Sequence, residues 1–404
     1  MLREKMIVDK LYKLRNTIQP YAWGSRRMLA EFLNREVPSA GPEAELWMGA
    51  HPKAPSCIRT SDGWVGLDKA IERQPDGFLG FEVRSRYGPR LPFLFKVLAI
   101  DRPLSLQAHP DRQQALEGYR RENEMGIALQ ADQRSYKDEH HKPECICALT
   151  PFWALCGFRE PDDARRLLEP LWPSDQRSEL GLLTQGWGSF YEFLVTLEPS
   201  RQRRLCTHAA LRASQLSGRS SEFDWVEKLH REHPGDIGVL APAMLNLIRL
   251  EPDEALFLPA GQLHAYLEGM GIELMANSDN VLRGGLTRKH IDVPELTRIL
   301  EFRPSAMQVL TAQRVGASEQ AYPSPADEFR LSKLHAQRGG VLAVNSWGPE
   351  IVLCARGSAR IDVGDGSVVE LNKGESVFIP AMTNRYRVSG SADLFRATVN
   401  LRSS

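Results

Sequence analysis

The sequence has no excess of charge of either sign. Its 404 residues include 51 Lys plus Arg and 51 Asp plus Glu, so the formal net charge at pH 7 is zero. Nucleic-acid-binding domains normally carry a basic surplus, and proteins held at anionic membrane surfaces carry clustered cations beside an apolar face. Because neither pattern is present, the sequence argues against both classes of partner.

Long apolar runs and a secretion signal are also missing. The first fifteen residues place a charge at every second or third position, whereas a signal peptide needs an uninterrupted apolar stretch. The most apolar segments, 91–100 and 237–250, contain Lys96, Asn246 and Arg249. They fall short of the roughly 20 apolar residues that span a bilayer. We therefore expect a soluble, cytoplasmic protein.

Cysteine is sparse: there are six, and no two of them form a C-x-x-C pair. That spacing gives no indication of a zinc ribbon or a thioredoxin-like redox site. In a chain of this length, reduced and mostly buried thiols are a better interpretation than a disulfide framework.

The composition, with 42% hydrophobic and 25% charged residues, is typical of globular proteins. The spacing of apolar residues changes along the chain and predicts different secondary structure in different regions. Short apolar runs broken by Gly and Pro predict strands up to about residue 158, with one helix at 111–133. Apolar residues three and four apart then predict a helical segment. Strands resume at 251, a short helix is predicted at 293–302, and alternating residues after 315 indicate a sandwich or jelly roll.

The predicted fold class is mainly β with an α-helical insertion, built from cupin or jelly-roll barrels. GESVFIPA near residue 374 echoes DEALFLPAG near residue 253, which hints at two related β-barrels. The predicted domains are a catalytic cupin-like β domain at 1–158 and 251–315, a helical insertion domain at 159–250, and a C-terminal cupin-like β domain at 316–404.

Metal-capable side chains occur in three separate segments. Gln107 and His109 lie two residues apart, so on a strand they point to the same face. Glu144 opens an apolar run after Pro143, where a buried carboxylate needs a partner. His264 follows a Pro-Ala-Gly turn at the start of a predicted strand. Each has a plainer interpretation as a polar group satisfied within the fold, and a histidine on a surface turn is an equal alternative for His264.

Together these four residues supply two imidazoles, one carboxylate and one amide oxygen. That mixture suits a borderline divalent ion such as zinc, with room for water or a substrate oxygen. Cys145 and Cys147 alternate with Glu144 and should face away from such a site.

Two cations stand in unusual surroundings. Arg283 precedes Gly284-Gly285, where backbone can approach a ligand closely, and a guanidinium suits phosphate or carboxylate. A simple pairing of Arg283 with Asp279 is the alternative. Lys96 lies within the apolar run FLFKVLAI, so it faces either a cavity or a buried counter-charge.

At these positions the sequence resembles the type I phosphomannose isomerase family, the zinc-dependent mannose-6-phosphate isomerases. Matching stretches occur in order over roughly the first 300 residues: YAWGS, ELWMGAHP, LPFLFKVLAI, SLQAHPD, HKPE, LPAGQLHAY and SDNVLRGGLT. The C-terminal hundred residues match only through GESVFIPA.

The resemblance implies a role for each matching residue. The metal ligands would be Gln107, His109, Glu144 and His264, holding one Zn2+ per chain. The catalytic residues would be Arg283, Lys142, His141 and Asp279. The substrate-binding residues would be Lys96, Ser105, Glu273 and Lys289. Arg288 departs from the family pattern, because relatives often carry proline between the Thr and the Lys. This additional cation would either help to bind phosphate or simply lie on a loop.

The reaction so implied interconverts mannose 6-phosphate and fructose 6-phosphate by a metal-assisted enediolate mechanism. Zinc and Arg283 would stabilise the oxyanion, Lys142 would take part in proton transfer, and His141 or Asp279 would assist ring opening. The partner would be a small sugar phosphate and the protein a monomer. The alternatives are an iron-dependent cupin oxygenase and a sugar-phosphate-binding protein without turnover.

Overall fold

The described chain builds two large antiparallel β-sheets, a two-stranded sheet, and a mainly helical segment inserted between two strands of the first large sheet. The computed structural model describes residues 8–61, 63–317 and 319–401. The strands are β1 (Tyr12–Lys13), β2 (Thr17–Gln19), β3 (Glu45–Gly49), β4 (Cys57–Thr60), β5 (Gly63–Gly66), β6 (Phe93–Ile100), β7 (Leu106–Ala108), β8 (Glu144–Ala148), β9 (Phe152–Phe158), β10 (Leu245–Leu250), β11 (Glu254–Leu258), β12 (His264–Ala276), β13 (Leu282–Gly285), β14 (Leu310–Thr311), β15 (Gln313–Arg314), β16 (Glu319–Ala321), β17 (Arg330–Ala336), β18 (Val341–Asn345), β19 (Glu350–Asp362), β20 (Val368–Asn372), β21 (Ser376–Ile379) and β22 (Arg385–Thr398).

The helices lie mostly between β9 and β10. The α-helices are α1 (Met28–Phe32), α2 (Leu67–Arg73), α3 (Pro75–Tyr87), α4 (Arg112–Glu124), α5 (Pro161–Leu168), α6 (Trp187–Thr196), α7 (Pro199–Gln215), α8 (Ser221–Glu232), α9 (Ala241–Met244) and α10 (Val293–Ile299), with 3-10 turns at Glu169–Leu171, Ser174–Gln185 and Ile237–Leu240. No helix in these described ranges has both the length and the apolar character needed to cross a membrane.

The first sheet holds eleven strands, and β12 lies at its centre. Its C-terminal residues pair with β6 and β8, while its first residues pair with β7 and β9. The register shifts between Tyr266 and Glu268, which lets one long strand serve both sides of the sheet. All eight residues of β6 are buried, consistent with its continuous apolar run.

The second sheet holds nine strands, in the order β1-β21-β19-β22-β17-β16-β15, with β18 on β22 and β20 on β19. Eight of its strands come from the C-terminal part of the chain. The exception is β1, whose Tyr12 and Lys13 pair with Phe378 and Val377 of β21. The N-terminal segment therefore completes the C-terminal sheet.

The helical segment has its own aromatic core. Trp187 stacks on Phe158 of β9 at 4.6 Å between ring centroids, and Trp172 and Phe190 are buried beside it. As the sequence predicted, the apolar residues spaced three and four apart lie on the buried face of each helix. The predicted short helix near 293–302 is confirmed as α10.

The structure departs from the predicted elements in several places. Residues 245–250, predicted as part of the helical segment, form strand β10, and helix α1 lies in a region predicted to hold strands. Helices α2 and α3 occupy a stretch where strands were expected; Pro75, Gly77 and Gly80 obscured the helical periodicity, and Gly80 breaks the helix at φ 76°. Helix α4 ends at Glu124, well before the predicted residue 133. Its start was better marked, because Asp111 and Gln114 form a capping box.

Candidate metal centre

Three buried side chains meet inside the first sheet. Ligand atoms of His109, Glu144 and His264 all lie within 4.8 Å of one another. Nε2 of His109 is 3.2 Å from Oε1 of Glu144, and Nε2 of His264 is 3.6 Å from Oε2. The sequence prediction that these distant residues converge agrees with the structure.

The strand register explains the convergence. Gln107 of β7 pairs with His264 of β12 on one side and with Arg283 of β13 on the other. Directly paired residues on adjacent strands point to the same face, so these three side chains share one surface. Glu144 enters from β8, which pairs with the far end of β12 at Met275.

Hydrogen bonds orient both imidazole rings. Nδ1 of His109 lies 2.7 Å from the carbonyl oxygen of Asn280, and Nδ1 of His264 lies 2.9 Å from that of Gln262. Since a carbonyl can only accept, each Nδ1 carries the proton, and each Nε2 presents a lone pair towards Glu144. This arrangement is typical of metal-ligating histidines.

The residues present fit a divalent cation. Among the described residues, Nε2 of His109 and Oε2 of Glu144 are buried without a hydrogen-bond partner. Buried polar atoms rarely stay unsatisfied, because each costs about 1–3 kcal/mol. A zinc ion held by both imidazoles and the carboxylate would satisfy them. The amide of Gln107 is 3.4 Å from Nε2 of His264, and a 180° turn of that amide would present its oxygen as a fourth ligand.

Burial and neighbouring charge keep these donors in their metal-binding forms. Burial lowers the pKa of His109 to about 4, so its ring is neutral at pH 7. Burial alone would raise the pKa of Glu144, but Lys142 and His109 outweigh it and hold that pKa well below its ordinary value. Nζ of Lys142 is 3.2 Å from Oε1 of Glu144.

Arg283 offers an uncompensated positive charge at this surface. It forms no ion pair within the part of the chain that the structure describes, and burial lowers the pKa of its guanidinium. The alternative pairing with Asp279 is wrong, because Asp279 is bound elsewhere. An unpaired, half-buried guanidinium favours an anionic ligand.

Asp279 forms a polar cluster with two residues from the segment after β3. Its Oδ2 is 2.8 Å from Nζ of Lys53 and 3.5 Å from Nε2 of His51. Burial opposes ionisation of Asp279, but contacts with His51 and Lys53 outweigh it and hold the pKa of this carboxyl far below its usual range. Asp279 is therefore a carboxylate at any physiological pH.

Lys96 lies between two carboxylates. Its Nζ is 2.9 Å from Glu273 and 3.4 Å from Glu45, and it lies 5.3 Å from the ring centroid of Trp47. Burial lowers the pKa of Lys96, but the two carboxylates outweigh it and raise the pKa above its ordinary value. Of the two interpretations left open by the sequence, the buried pair describes this side chain.

The other predicted residues lie at varying distances from the metal cluster. Ser105 is half-buried two residues before Gln107, and Lys289 is exposed after β13. His141 is held apart from the cluster: its Nε2 contacts Oε1 of Glu328 at 2.9 Å. The extended backbone that turns Lys142 inwards turns its neighbour outwards.

Sequence reasoning missed several residues that shape this site. Asn280 orients His109, while His51 and Lys53 hold Asp279. His51 ends the stretch ELWMGAHP, which carried part of the family resemblance, so its position was visible although its role was not. Asn280 stood within a polar run that was interpreted only as turn chemistry.

An antiparallel sheet that gathers two histidines and a glutamate into one buried cluster defines a metalloprotein of the β-rich class. Two family descriptions match the chain: phosphomannose isomerase type I, catalytic domain, at residues 11–161, and mannose-6-phosphate isomerase, cupin domain, at 319–399. The mannose-6-phosphate isomerase of Salmonella typhimurium is 39% identical, with 96% of this chain and 99% of that protein covered. The Homo sapiens mannose-6-phosphate isomerase is 34% identical, with 81% and 82% covered.

Solved structures agree with these relatives. A zinc-bound holo crystal structure of mannose 6-phosphate isomerase superimposes with a TM-score of 0.89 at 36% identity, covering 97% of this chain and 100% of that one. The chain belongs to the type I phosphomannose isomerase family. The predicted family and the predicted β-rich fold with a helical insertion are both confirmed.

Proposed function

We infer that this protein interconverts mannose 6-phosphate and fructose 6-phosphate as an aldose-ketose isomerase. One observation carries the inference: the buried cluster of His109, Glu144 and His264 in a chain that is 39% identical to a mannose-6-phosphate isomerase over nearly its full length. The anionic substrate agrees with the uncompensated charge of Arg283.

Zinc is the cofactor. A zinc-bound relative shares the fold, and the donor set of this chain suits that ion. We propose Gln107 as the fourth protein ligand, because its amide adjoins Nε2 of His264. When bound, the ion supplies a Lewis acid that stabilises negative charge on a substrate oxygen.

The side chains around the cluster divide the remaining work. We propose that Arg283 stabilises the oxyanion that develops as the C2 proton leaves, because no carboxylate among the described residues pairs with its guanidinium. Lys142, beside Glu144, moves the proton between C2 and C1. Asp279, kept ionised by His51 and Lys53, is a weak base, so we propose that it orients the sugar by accepting a hydrogen bond from the anomeric hydroxyl. In ring opening that hydroxyl loses its proton, and the ring oxygen gains one as its bond to C1 breaks. The contacts of His141 with Glu328 do not support the ring-opening role predicted for it.

The proposed substrate-binding residues include one lysine that is already ion-paired, Lys96, and one that is exposed, Lys289. Lys96 is already neutralised by Glu273 and Glu45, so we propose that this buried group binds sugar hydroxyls rather than phosphate. Lys289 is exposed, and we propose that it binds the phosphate group of the substrate together with Ser105. Arg288, its exposed neighbour, adds a second cation at this edge.

We also propose the predicted organisation of the molecule. The division into 1–158 with 251–315, 159–250 and 316–404 agrees with the positions of the helices, although β10 already pairs with β9 before residue 251. We propose a monomer, which size-exclusion chromatography with light scattering tests. We propose a cytoplasmic location because the six cysteines are unpaired.

A coupled assay for fructose 6-phosphate formed from mannose 6-phosphate tests the function. Activity should vanish when a chelator removes the metal and return with one equivalent of zinc. Metal analysis of the purified protein accompanies the assay. Stoichiometric iron with oxygen consumption would overturn the proposal in favour of a cupin oxygenase, and substrate binding without turnover would leave only a sugar-phosphate-binding protein.

A further inference from the structure

The residues just before Glu144 form an irregular segment that is held from two sides. On one side, the carbonyl oxygen of His140 accepts hydrogen bonds from Asn280 Nδ2 at 2.8 Å and from Ser278 Oγ at 3.0 Å. These contacts come from the loop that follows β12. They fix the backbone two residues before Lys142.

On the other side, a carboxylate from the C-terminal part of the chain holds the segment. Glu328 lies between β16 and β17 and is only 7% exposed. Its Oε1 is 2.9 Å from Nε2 of His141 and 2.7 Å from Nη2 of Arg112. Nε of Arg112 is also 3.1 Å from the same His141 nitrogen, so the three side chains form a closed cluster.

This cluster borders a separate cavity of about 330 Å³. Tyr87, Arg90 and Asn277 contribute to its wall, and His141 faces it. None of the three residues that form the metal cluster lines this cavity. Glu328 therefore touches none of these three residues directly. It is linked to the catalytic centre through the chain segment that His141 shares with Lys142, and through Arg112, which lies three residues after His109.

We propose that Glu328 is a positioning residue for the reaction: by holding His141 and Arg112, it fixes residues 140–143 and thereby places Lys142 Nζ beside Glu144. The inference rests on the proposed function, since it assigns Lys142 to proton transfer. It gives the C-terminal sheet a part in catalysis, because that sheet carries the strand that follows Glu328. Displacement of a reacting group by about 1 Å can cost on the order of 100-fold in rate.

The test is steady-state kinetics of the zinc-loaded enzyme with mannose 6-phosphate. Glu328→Ala should lower kcat about 10-fold or more and leave KM within about 2-fold, because the substrate contacts are untouched. Glu328→Gln keeps an oxygen for the same contacts and should recover most of kcat. Asp327→Ala is the matched control: Asp327 pairs with Arg86 at 2.7 Å and also lies 3.5 Å from Nη2 of Arg112, but no contact with His141 is found among the described residues. It therefore separates the contact with His141 from the contact with Arg112.

A double-mutant cycle tests whether Glu328 and His141 act through the same contact, and two further measurements exclude a general loss of folding. His141→Ala removes the same contact from its other end, so it should match Glu328→Ala, and the double variant should be no slower than either. Zinc content and far-ultraviolet circular dichroism should be unchanged, and amide exchange of residues 137–142 should be faster in Glu328→Ala.

Three results would overturn the proposal while leaving the proposed function intact. They are a kcat of Glu328→Ala equal to that of Asp327→Ala, additive effects in the cycle, or a His141→Ala variant far slower than Glu328→Ala, which would make His141 itself catalytic. An inactive wild-type enzyme with full zinc content would instead refute the proposed function.

Discussion

The carbonyl oxygen of Asn280 accepts the Nδ1 proton of His109 at 2.7 Å, which fixes the ring of a metal ligand from outside the metal cluster. The side chain of the same residue binds the segment that carries Lys142. Its Oδ1 accepts from the amides of Lys137 and Asp138 at 2.7 and 3.2 Å, and its Nδ2 donates to the carbonyls of Asp138 and His140. One buried asparagine thus joins the metal site to the proposed proton-transfer group.

Replacing Asn280 with alanine should damage both stability and zinc affinity. It leaves several buried backbone groups unpaired, at about 1–3 kcal/mol each, so we expect a loss of about 3–5 kcal/mol. The backbone carbonyl that accepts from His109 remains in this variant, but it loses the side-chain contacts that fix its position. The zinc dissociation constant should therefore rise about 10-fold, at the lower end of the range for residues that support metal ligands. Urea unfolding and chelator competition measure the two effects. Asn277→Ala, which removes one donor to the carbonyl of Leu91 at 3.2 Å, should cost about 1 kcal/mol; equal losses would contradict the role of Asn280.

Lys96→Met should destabilise the protein strongly. The substitution keeps the length of the side chain but leaves Glu45 and Glu273 buried without their cation, and breaking a buried ion pair costs about 3–5 kcal/mol. The control is Lys69→Met, because Lys69 and Glu72 form an exposed pair whose loss should leave stability nearly unchanged. Chemical unfolding of the zinc-loaded proteins compares them. Similar losses in both variants would show that the carboxylates do not depend on Lys96.

Asp279→Asn should remove a pH-dependent contribution to stability. The pKa of Asp279 in the folded protein is depressed below its unfolded value of about 3.9. Its contribution is therefore complete above that unfolded value and disappears as the pH falls towards the folded pKa. Wild type should exceed the variant by about 1–2 kcal/mol at pH 7, with the difference shrinking below about pH 4. Unfolding of metal-free protein from pH 7 to pH 3 avoids any effect of zinc loss; a difference that grows in acid would contradict the assignment.

Thiol reagents should react with Cys57 in preference to the other cysteines, because Cys57 is half-buried whereas the other five are buried. Burial raises the pKa of Cys147 and Cys206 to about 12 and that of Cys354 to about 11. Since the thiolate is the reactive form, these thiols should stay inert at pH 8. A thiol reagent should label about one group in the native protein and all six after denaturation, and Cys57→Ala should abolish the native reaction.

Local alternation predicted much of this site from the sequence. Gln107 and His109 share a strand face, Glu144 heads its strand, and Cys145 and Cys147 turn into the core, as expected. The same rule places His141 and Lys142 on opposite sides of the chain. The family resemblance had grouped them in one pocket, and the backbone separates them.

Long-range register could not be predicted from the same residues. His264 meets Gln107 across 157 positions of sequence, and that pairing depends on the bulge in β12 and on the turn that precedes it. The partners of Asp279 likewise come from the segment after β3, and those of Lys96 come from β3 and β12. An isolated charged residue indicates that a partner is needed, but only the folded sheet identifies which one.

Strands β1 and β21 are neighbours in the sheet although nearly the whole chain lies between them in sequence. Beside this pair, Asn16 Nδ2 donates to Ser376 Oγ across 360 residues. During synthesis, the hydrogen bonds between β1 and β21 can form only after almost all of the remaining polypeptide has been made. A recombinant fragment that starts at residue 316 would leave β21 with a bare edge open to intermolecular strand addition. Expression of the isolated C-terminal unit should therefore include the early segment, supplied as a tethered strand.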